Sequence, residues 1–142
     1  MTAEDRGALK LQLIRHEGMR LKPYRCPAGY LTVGVGRNLE TRGLTADEAL
    51  VLLDNDIDLC ERHLRKTYAW FADLDPVRQR ALIDLCFNLG TAGLAGFRKA
   101  LAAMARSDYE DAATHFQQSA WYRQVGTRGP RIVGMIRTGQ AA

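Results

Sequence analysis

The sequence predicts an α+β domain dominated by helix, with six or so short helices gathered around one small β-hairpin. Apolar residues recur at helical spacing along most of the chain. One segment, Pro23 to Leu39, breaks that rhythm with Pro, Gly, aromatic and β-branched residues. The length of 142 residues, with 46% hydrophobic and 25% charged side chains, suits one globular domain and excludes a disordered or fibrous chain.

The elements follow in order. Ala8, Leu9, Leu11, Leu13 and Ile14 place a helix over about 4–16, with Gly18 as its stop. Glu17 then sits at a helix C-terminus, beside the negative end of the dipole and so unfavourably for a carboxylate. Pro23, Pro27 and Ala28-Gly29 punctuate the run into Tyr30-Leu31-Thr32-Val33-Gly34-Val35-Gly36, which reads as a short hairpin. Thr45-Ala46-Asp47-Glu48 is a capping box, and Ala49, Leu50, Leu53, Ile57, Cys60 and Leu64 continue one face of a helix over about 45–65. Asp75 as N-cap and Pro76 at the first helical position open another, running through Leu82, Ile83, Leu85, Cys86 and Phe87 towards Gly90. Further helical runs cover about 94–105 and 108–118, with shorter ones near 119–124 and 128–135. The helix at 45–65 is long enough to join a hairpin lobe to a larger helical lobe and leave a cleft between them.

The net charge of +4 is uneven: +1 over residues 1–71 and +3 over 72–142. No acid follows Asp111, whereas Arg123, Arg128, Arg131 and Arg137 do. Arg15, Arg20, Lys22 and Arg25 form a second basic cluster around Glu17. Charge alone therefore leaves nucleic acid, a membrane surface and an acidic polymer open as partners, beside plain solvation. Cys26, Cys60 and Cys86 show no metal-binding spacing; the last two fall on apolar helical faces and read as core, while Cys26 sits in a polar loop before Pro27. No run approaches the roughly 20 apolar residues of a membrane span, and the first residues lack the layout of a secretory signal. The expectation is a soluble protein, reduced at synthesis.

The chemistry concentrates in residues 15–36. Glu17 ends a helix, Cys26 lies in the loop beyond, and Thr32 stands on a glycine-flanked strand. If the hairpin folds back over the helix end, the three face one cleft. Glycosidic cleavage needs such a set, in which a carboxyl group protonates the leaving oxygen while an opposing group activates or positions water.

At these residues the sequence resembles the phage lysozymes, the muramidase endolysins of glycoside hydrolase family 24. The resemblance rests first on Glu17, eight residues, Cys26, five residues and Thr32, the family pattern being Glu, then Asp or Cys, then Thr. Arg80 to Gly90 with Gly93-Leu94-Ala95-Gly96-Phe97 supplies a second block, and Ser119-Ala120-Trp121-Tyr122 leading to Arg128, Arg131 and Ile136-Arg137-Thr138-Gly139 a third. The three are in the family's order.

The resemblance implies a two-lobed lysozyme-like fold in one domain, residues 1–142. Its hairpin lobe would be about 18–44, its linking helix about 45–65, and its larger helical lobe about 66–142 together with helix 4–16. It implies hydrolysis of the β-1,4 bond between N-acetylmuramic acid and N-acetylglucosamine in peptidoglycan, leading to bacterial lysis. Glu17 becomes the general acid, with Cys26 and Thr32 flanking the attacking water. Phe87, Asn88 and Arg128 become substrate-binding candidates, Arg128 matching an arginine that pairs with the catalytic glutamate in relatives. Phe87 reads equally well as core. His16 points about 100° from Glu17 on a helix and reads as structural, and Trp121 and Tyr122 as packing.

Two residues depart from the best-known members. Cys26 replaces aspartate: its thiolate would be a base or a nucleophile, so the stereochemical course stays open. Arg25 and its neighbours would favour that thiolate. Arg37 stands where relatives often carry histidine. No metal or organic cofactor is implied, and no nucleic acid. The partner is the peptidoglycan glycan strand, met by a monomer without stable membrane insertion. The protein would stay in the host cytoplasm until a separate pore-forming protein releases it to the wall. Alternatives are a lytic transglycosylase, and a membrane-disrupting role for the cationic C-terminus.

Overall fold

The computed structural model describes residues 1–141, which divide into two compact units, the first being Met1–Val51 and the second beginning at Leu52. The fold is α+β and mainly α, as the sequence predicts, with seven α-helices and one three-stranded antiparallel sheet among the described residues.

The first unit opens with α1 (Ala3–Glu17), whose N-cap Thr2 accepts from the Asp5 amide at 3.1 Å. None of its residues is buried within the structure described, and the Gly18 amide closes its last turn on the Ile14 carbonyl at 2.8 Å. Three strands follow: β1 (Arg20–Arg25), β2 (Leu31–Gly34) and β3 (Arg37–Asn38), in the spatial order β1-β2-β3. The predicted single hairpin is therefore a small meander, and its first strand starts at Arg20 and runs through Pro23. Proline is tolerated there because β1 is an edge strand, and the register slips between Arg20 and Tyr24. Pairing sets Tyr24 opposite Thr32 and Thr32 opposite Asn38, one row across all three strands. The first turn of α2 (Ala46–Thr67) completes the unit. Its capping box forms: the Glu48 amide donates to Thr45 Oγ1 at 3.2 Å, and the Thr45 amide to Glu48 Oε2 at 2.9 Å.

In the second unit α2 buries Cys60 and Leu64, and a short 3-10 turn over Ala69–Asp73 buries Phe71. Helix α3 (Pro76–Ala95) starts as predicted, with Asp75 accepting from the Arg78 amide at 3.0 Å and Pro76 in the first turn. It does not stop at Gly90. That glycine adopts φ 74° and ψ 167°, a kink open to a residue without Cβ, and the helix resumes as far as Ala95 with Leu94 fully buried. The run expected from residue 94 thus becomes α4 (Arg98–Ala105). Helices α5 (Tyr109–Gln117) and α6 (Ala120–Gln124) begin on side-chain caps from Asp108 and Ser119, and α7 (Arg128–Thr138) runs past the expected end at 135. Their core holds Leu82, Leu85, Leu101, Met104, Phe116, Trp121, Ile132 and Ile136, with α7 packed on α3 and α5.

Arg78 joins the two ends of this packing. Its Nε donates to the Ile136 carbonyl at 2.7 Å and its Nη2 to the Arg137 carbonyl at 3.0 Å, carbonyls of the last turn that a helix leaves unpaired. Its Nη1 reaches Asp75 Oδ2 at 2.9 Å, and the guanidinium lies 3.7 Å from the Tyr109 ring centroid. A cation at the negative end of α7 also meets the dipole favourably. Arg78→Ala should lower the stability of the second unit by about 2–3 kcal/mol in a urea titration. Arg78→Lys should recover little of it, because an ammonium cannot span three acceptors at once.

Candidate active site

A cavity of about 310 Å³ in the first unit is lined by Glu17, Arg20, Tyr24, Cys26, Thr32 and Asn38, with Gly36 in its wall. The structure thus brings Glu17, Cys26 and Thr32 together at one cavity. Glu17 is the last residue of α1, and its side chain lies along the turn between β2 and β3. A Cβ built on Gly36, where φ is +68°, would stand 3.0 Å from Glu17 Oε2 and 3.2 Å from its Cδ. Glycine is needed there twice over, for the left-handed backbone and for the close approach.

Thr32 sits in the middle strand and is 3% exposed. Its hydroxyl donates to the Tyr30 carbonyl at 2.8 Å. Cys26 begins the turn joining β1 to β2, where its amide donates to the Tyr30 carbonyl at 2.9 Å and its carbonyl accepts from the Gly29 amide at 2.8 Å. The thiol is held below its ordinary pKa of 9.0, first by the facing amide of Tyr30, against opposition from partial burial. The amides of Ala28 and Gly29 and the Thr32 hydroxyl act in the same direction as Tyr30. Arg25, expected to favour the thiolate, is engaged elsewhere: its Nη1 donates to Glu40 Oε1 and to the Gly29 carbonyl, each at 3.0 Å. The anion is favoured by backbone amides rather than by a side-chain cation.

Sequence reasoning passed over Tyr24 and Asn38 and counted Arg20 only among the basic cluster. The guanidinium of Arg20 lies 4.3 Å from the Tyr24 ring centroid. The register irregularity between Arg20 and Tyr24 hides this pairing from an alternation count along the sequence. His16 is solvent-exposed.

Arg37, in place of the usual histidine, makes a bidentate pair with Glu48, Nη1 to Oε2 and Nη2 to Oε1 at 2.7 Å each. The pair ties β3 to the first turn of α2. The Arg37 guanidinium, followed by the Thr45 amide, holds the Glu48 carboxyl down at about 2.

The remaining candidates belong to the second unit. Phe87 is 45% exposed and lines, with Leu53, Ile57, Asp84 and Arg128, a mainly apolar cavity of about 350 Å³, so it is not core. Arg128 Nε donates to Asp84 Oδ1 at 2.8 Å. Asn88 Oδ1 accepts from Trp121 Nε1 at 2.8 Å, which ties α3 to the buried indole of α6. Arg137 pairs with Glu110 at 2.9 Å, so two of the four cations beyond Asp111 are neutralised within the fold. Among the described residues no three His, Cys, Asp or Glu side chains gather into a metal-holding group, and no helix is long and apolar enough to cross a membrane.

A family model described as phage lysozyme matches residues 14–141. The chain is 31% identical to the pre-baseplate central spike protein of Enterobacteria phage T4, over 89% of this chain and 27% of that protein. It is 30% identical to an endolysin of Acyrthosiphon pisum secondary endosymbiont phage 1, over 99% of this chain and 94% of the other. It is 23% identical to the probable T4-type lysozyme 1 of Dictyostelium discoideum, over 94% and 95% respectively. The chain therefore spans about a quarter of the spike protein and nearly all of the other two.

Two outcomes follow from this geometry. Glu48 ionises more readily in the fold than in the unfolded chain. Its stabilisation should be complete above the ordinary carboxylate value of 4.5 and fade as pH falls towards about 2. Wild type and Arg37→Gln should therefore differ in urea midpoint at pH 6 and converge near pH 2. Gly36→Ala should displace the Glu17 carboxyl and depress activity more than it depresses the melting temperature, which turnover and calorimetry on the same sample would separate.

Proposed function

The chain belongs to the phage lysozyme family, and we propose that it hydrolyses the β-1,4 bond between N-acetylmuramic acid and N-acetylglucosamine in peptidoglycan. Its class, a glycoside hydrolase of lysozyme type, follows from that family and from relatives named as lysozyme and endolysin. The observation that carries the site assignment is that Glu17, Cys26 and Thr32 line one cavity.

Glu17, protonated, donates to the glycosidic oxygen. The bond from that oxygen to the anomeric carbon breaks, its electron pair staying with the oxygen. Water attacks the anomeric carbon from the opposite face and yields its proton to the Cys26 thiolate while Thr32 accepts from its other O–H. The cycle leaves Glu17 ionised, Cys26 protonated, a new hemiacetal and a new alcohol; exchange with solvent resets both groups. The lowered thiol pKa, set first by the Tyr30 amide, favours the thiolate that this step needs.

Phe87, Asn88 and Arg128 are the glycan contacts of this reading; Phe87 and Arg128 line one cavity, and Asn88 keeps its Nδ2 donors while its oxygen accepts from Trp121. The likeness to an endolysin along nearly the full length of both chains supports a role in bacterial lysis. In that role a monomer would be held in the host cytoplasm and released to the wall through a separate pore-forming protein.

Glu17→Gln should reduce release of reducing ends from a peptidoglycan suspension by about 100-fold or more; full activity in that variant would overturn the assignment of the acid. Cys26→Ser and thiol alkylation should each cripple turnover, while Cys26→Asp should retain it. One limb of the wild-type pH–activity profile should have its midpoint below the ordinary thiol value of 9.0, and Cys26→Asp should move that limb into the carboxylate range. NMR of the first products should show inversion at the anomeric carbon. A retained anomer would instead make Cys26 a nucleophile, and a 1,6-anhydro product would make the enzyme a transglycosylase.

A further inference from the structure

Asn38 lines the cavity with Glu17, Cys26 and Thr32, yet the mechanism above gives it no task. It is the cross-strand partner of Thr32 in the pairing of β3 with β2, which puts the two side chains on the same face of the sheet. Its Oδ1 accepts from the backbone amides of Glu40 and Thr41, at 2.9 Å each. Amide N–H groups only donate, so the atom facing them is the oxygen and the orientation of the carboxamide is fixed. The opposite branch, Nδ2 with its two protons, has no acceptor among the described residues.

We propose that Asn38 is a further catalytic residue whose Nδ2 donates to the attacking water. The inference rests on the reading that this site hydrolyses a glycan with water held by Cys26 and Thr32. A water molecule carries two protons and two lone pairs. The Cys26 sulfur and the Thr32 oxygen, as acceptors, take up the two protons, and this leaves both lone pairs without a donor. A donor on the remaining side occupies one lone pair and leaves the other directed at the anomeric carbon. Among the site's neutral side chains, Asn38 has a donor whose direction is set in advance, because the turn to Thr41 holds the carboxamide. The gain is one of orientation: the water is aimed before the bond begins to form. No proton moves to or from Asn38 in the step.

Asn38→Asp is the discriminating variant. It keeps an oxygen for the Glu40 and Thr41 amides, so the turn survives, and it replaces the donor by an acceptor. On a soluble peptidoglycan fragment, with kcat read on the plateau of the pH profile, Asn38→Asp should lose about 10- to 100-fold in kcat. KM should change little, and the melting temperature should stay within about 2 °C of wild type. Asn38→Ala, which also loses the turn acceptor, should show the same loss in kcat and a lower melting temperature. Wild-type kcat in Asn38→Asp beside an impaired Asn38→Ala would reduce Asn38 to a turn residue and overturn the inference. So would an Asn38→Asp variant whose activity falls only in step with its melting temperature. Glu17→Gln in the same assay keeps the two levels apart. A wild type that releases no new reducing ends sinks the functional reading itself, whereas an active wild type with an unimpaired Asn38→Asp sinks only the role given to Asn38.

Discussion

The close approach of Glu17 to Gly36 is the contact around which the candidate site is arranged. Glu17 ends α1, and its side chain lies over the sheet where residue 36 has no Cβ; a Cβ there would stand 3.0 Å from the nearest carboxylate oxygen and push the end of the side chain aside. The contact fixes the end of the helix against the β2–β3 turn and so fixes where the carboxyl group stands relative to Thr32 in β2. The row of Tyr24, Thr32 and Asn38 depends on the same registration. Side chains alternate along a strand, so a slip of one residue in β2 would turn Thr32 out of the cavity altogether. The bidentate Arg37–Glu48 pair holds β3 to the start of α2 and opposes such a slip from the other side.

The helices were legible where capping chemistry marked their starts. Thr45 with Glu48 and Asp75 with Pro76 each begin a helix within a residue of the place their side chains indicate. The misreadings share a cause, which is that a residue discouraging a local structure can be overruled by what surrounds it. Pro23 by its chemistry bounds a strand segment, but an edge strand does not need every N–H, so β1 passes through it. Gly90 by its chemistry ends a helix, but the burial of Leu94 keeps the chain helical beyond the kink. At the site, the spacing of Glu17, Cys26 and Thr32 was readable and the family pattern sharpened it. Asn38 was not, because its place beside Thr32 depends on a strand register that the spacing alone does not give. Arg78 with Ile136 and Arg128 with Asp84 were unreadable for a plainer reason: contacts between residues 58 and 44 positions apart leave no local trace.

The basic excess changes meaning once the ion pairs are in view. On sequence it pointed outward, to a polyanion or a membrane. In the fold Arg37, Arg78, Arg128 and Arg137 spend their charge on Glu48, Asp75, Asp84 and Glu110. A C-terminal segment with two of its four cations, Arg128 and Arg137, tied down in this way has less to offer a membrane than its composition suggests. Arg20 differs from these four, because its guanidinium rests on an aromatic face inside the cavity wall. It is the cation whose position, rather than whose count, bears on an anionic polymer such as peptidoglycan.

The cysteine at position 26 is intelligible on the same local terms. A thiolate needs donors around it, and those around Cys26 are chiefly the backbone amides of the turn Ala28 to Tyr30, with Tyr30 foremost. Backbone donors belong to the turn rather than to any one side chain, so they would serve a carboxylate at position 26 as well as a sulfur. The turn therefore sets the preference for an anion, and the residue at its head sets only how strongly basic that anion is. This is a physical reason for a family pattern that admits either aspartate or cysteine at one place while demanding glutamate at the other. In the roles proposed for them, Glu17 as acid hangs from the end of a helix, whereas Cys26 as base draws its character from the backbone amides of its turn.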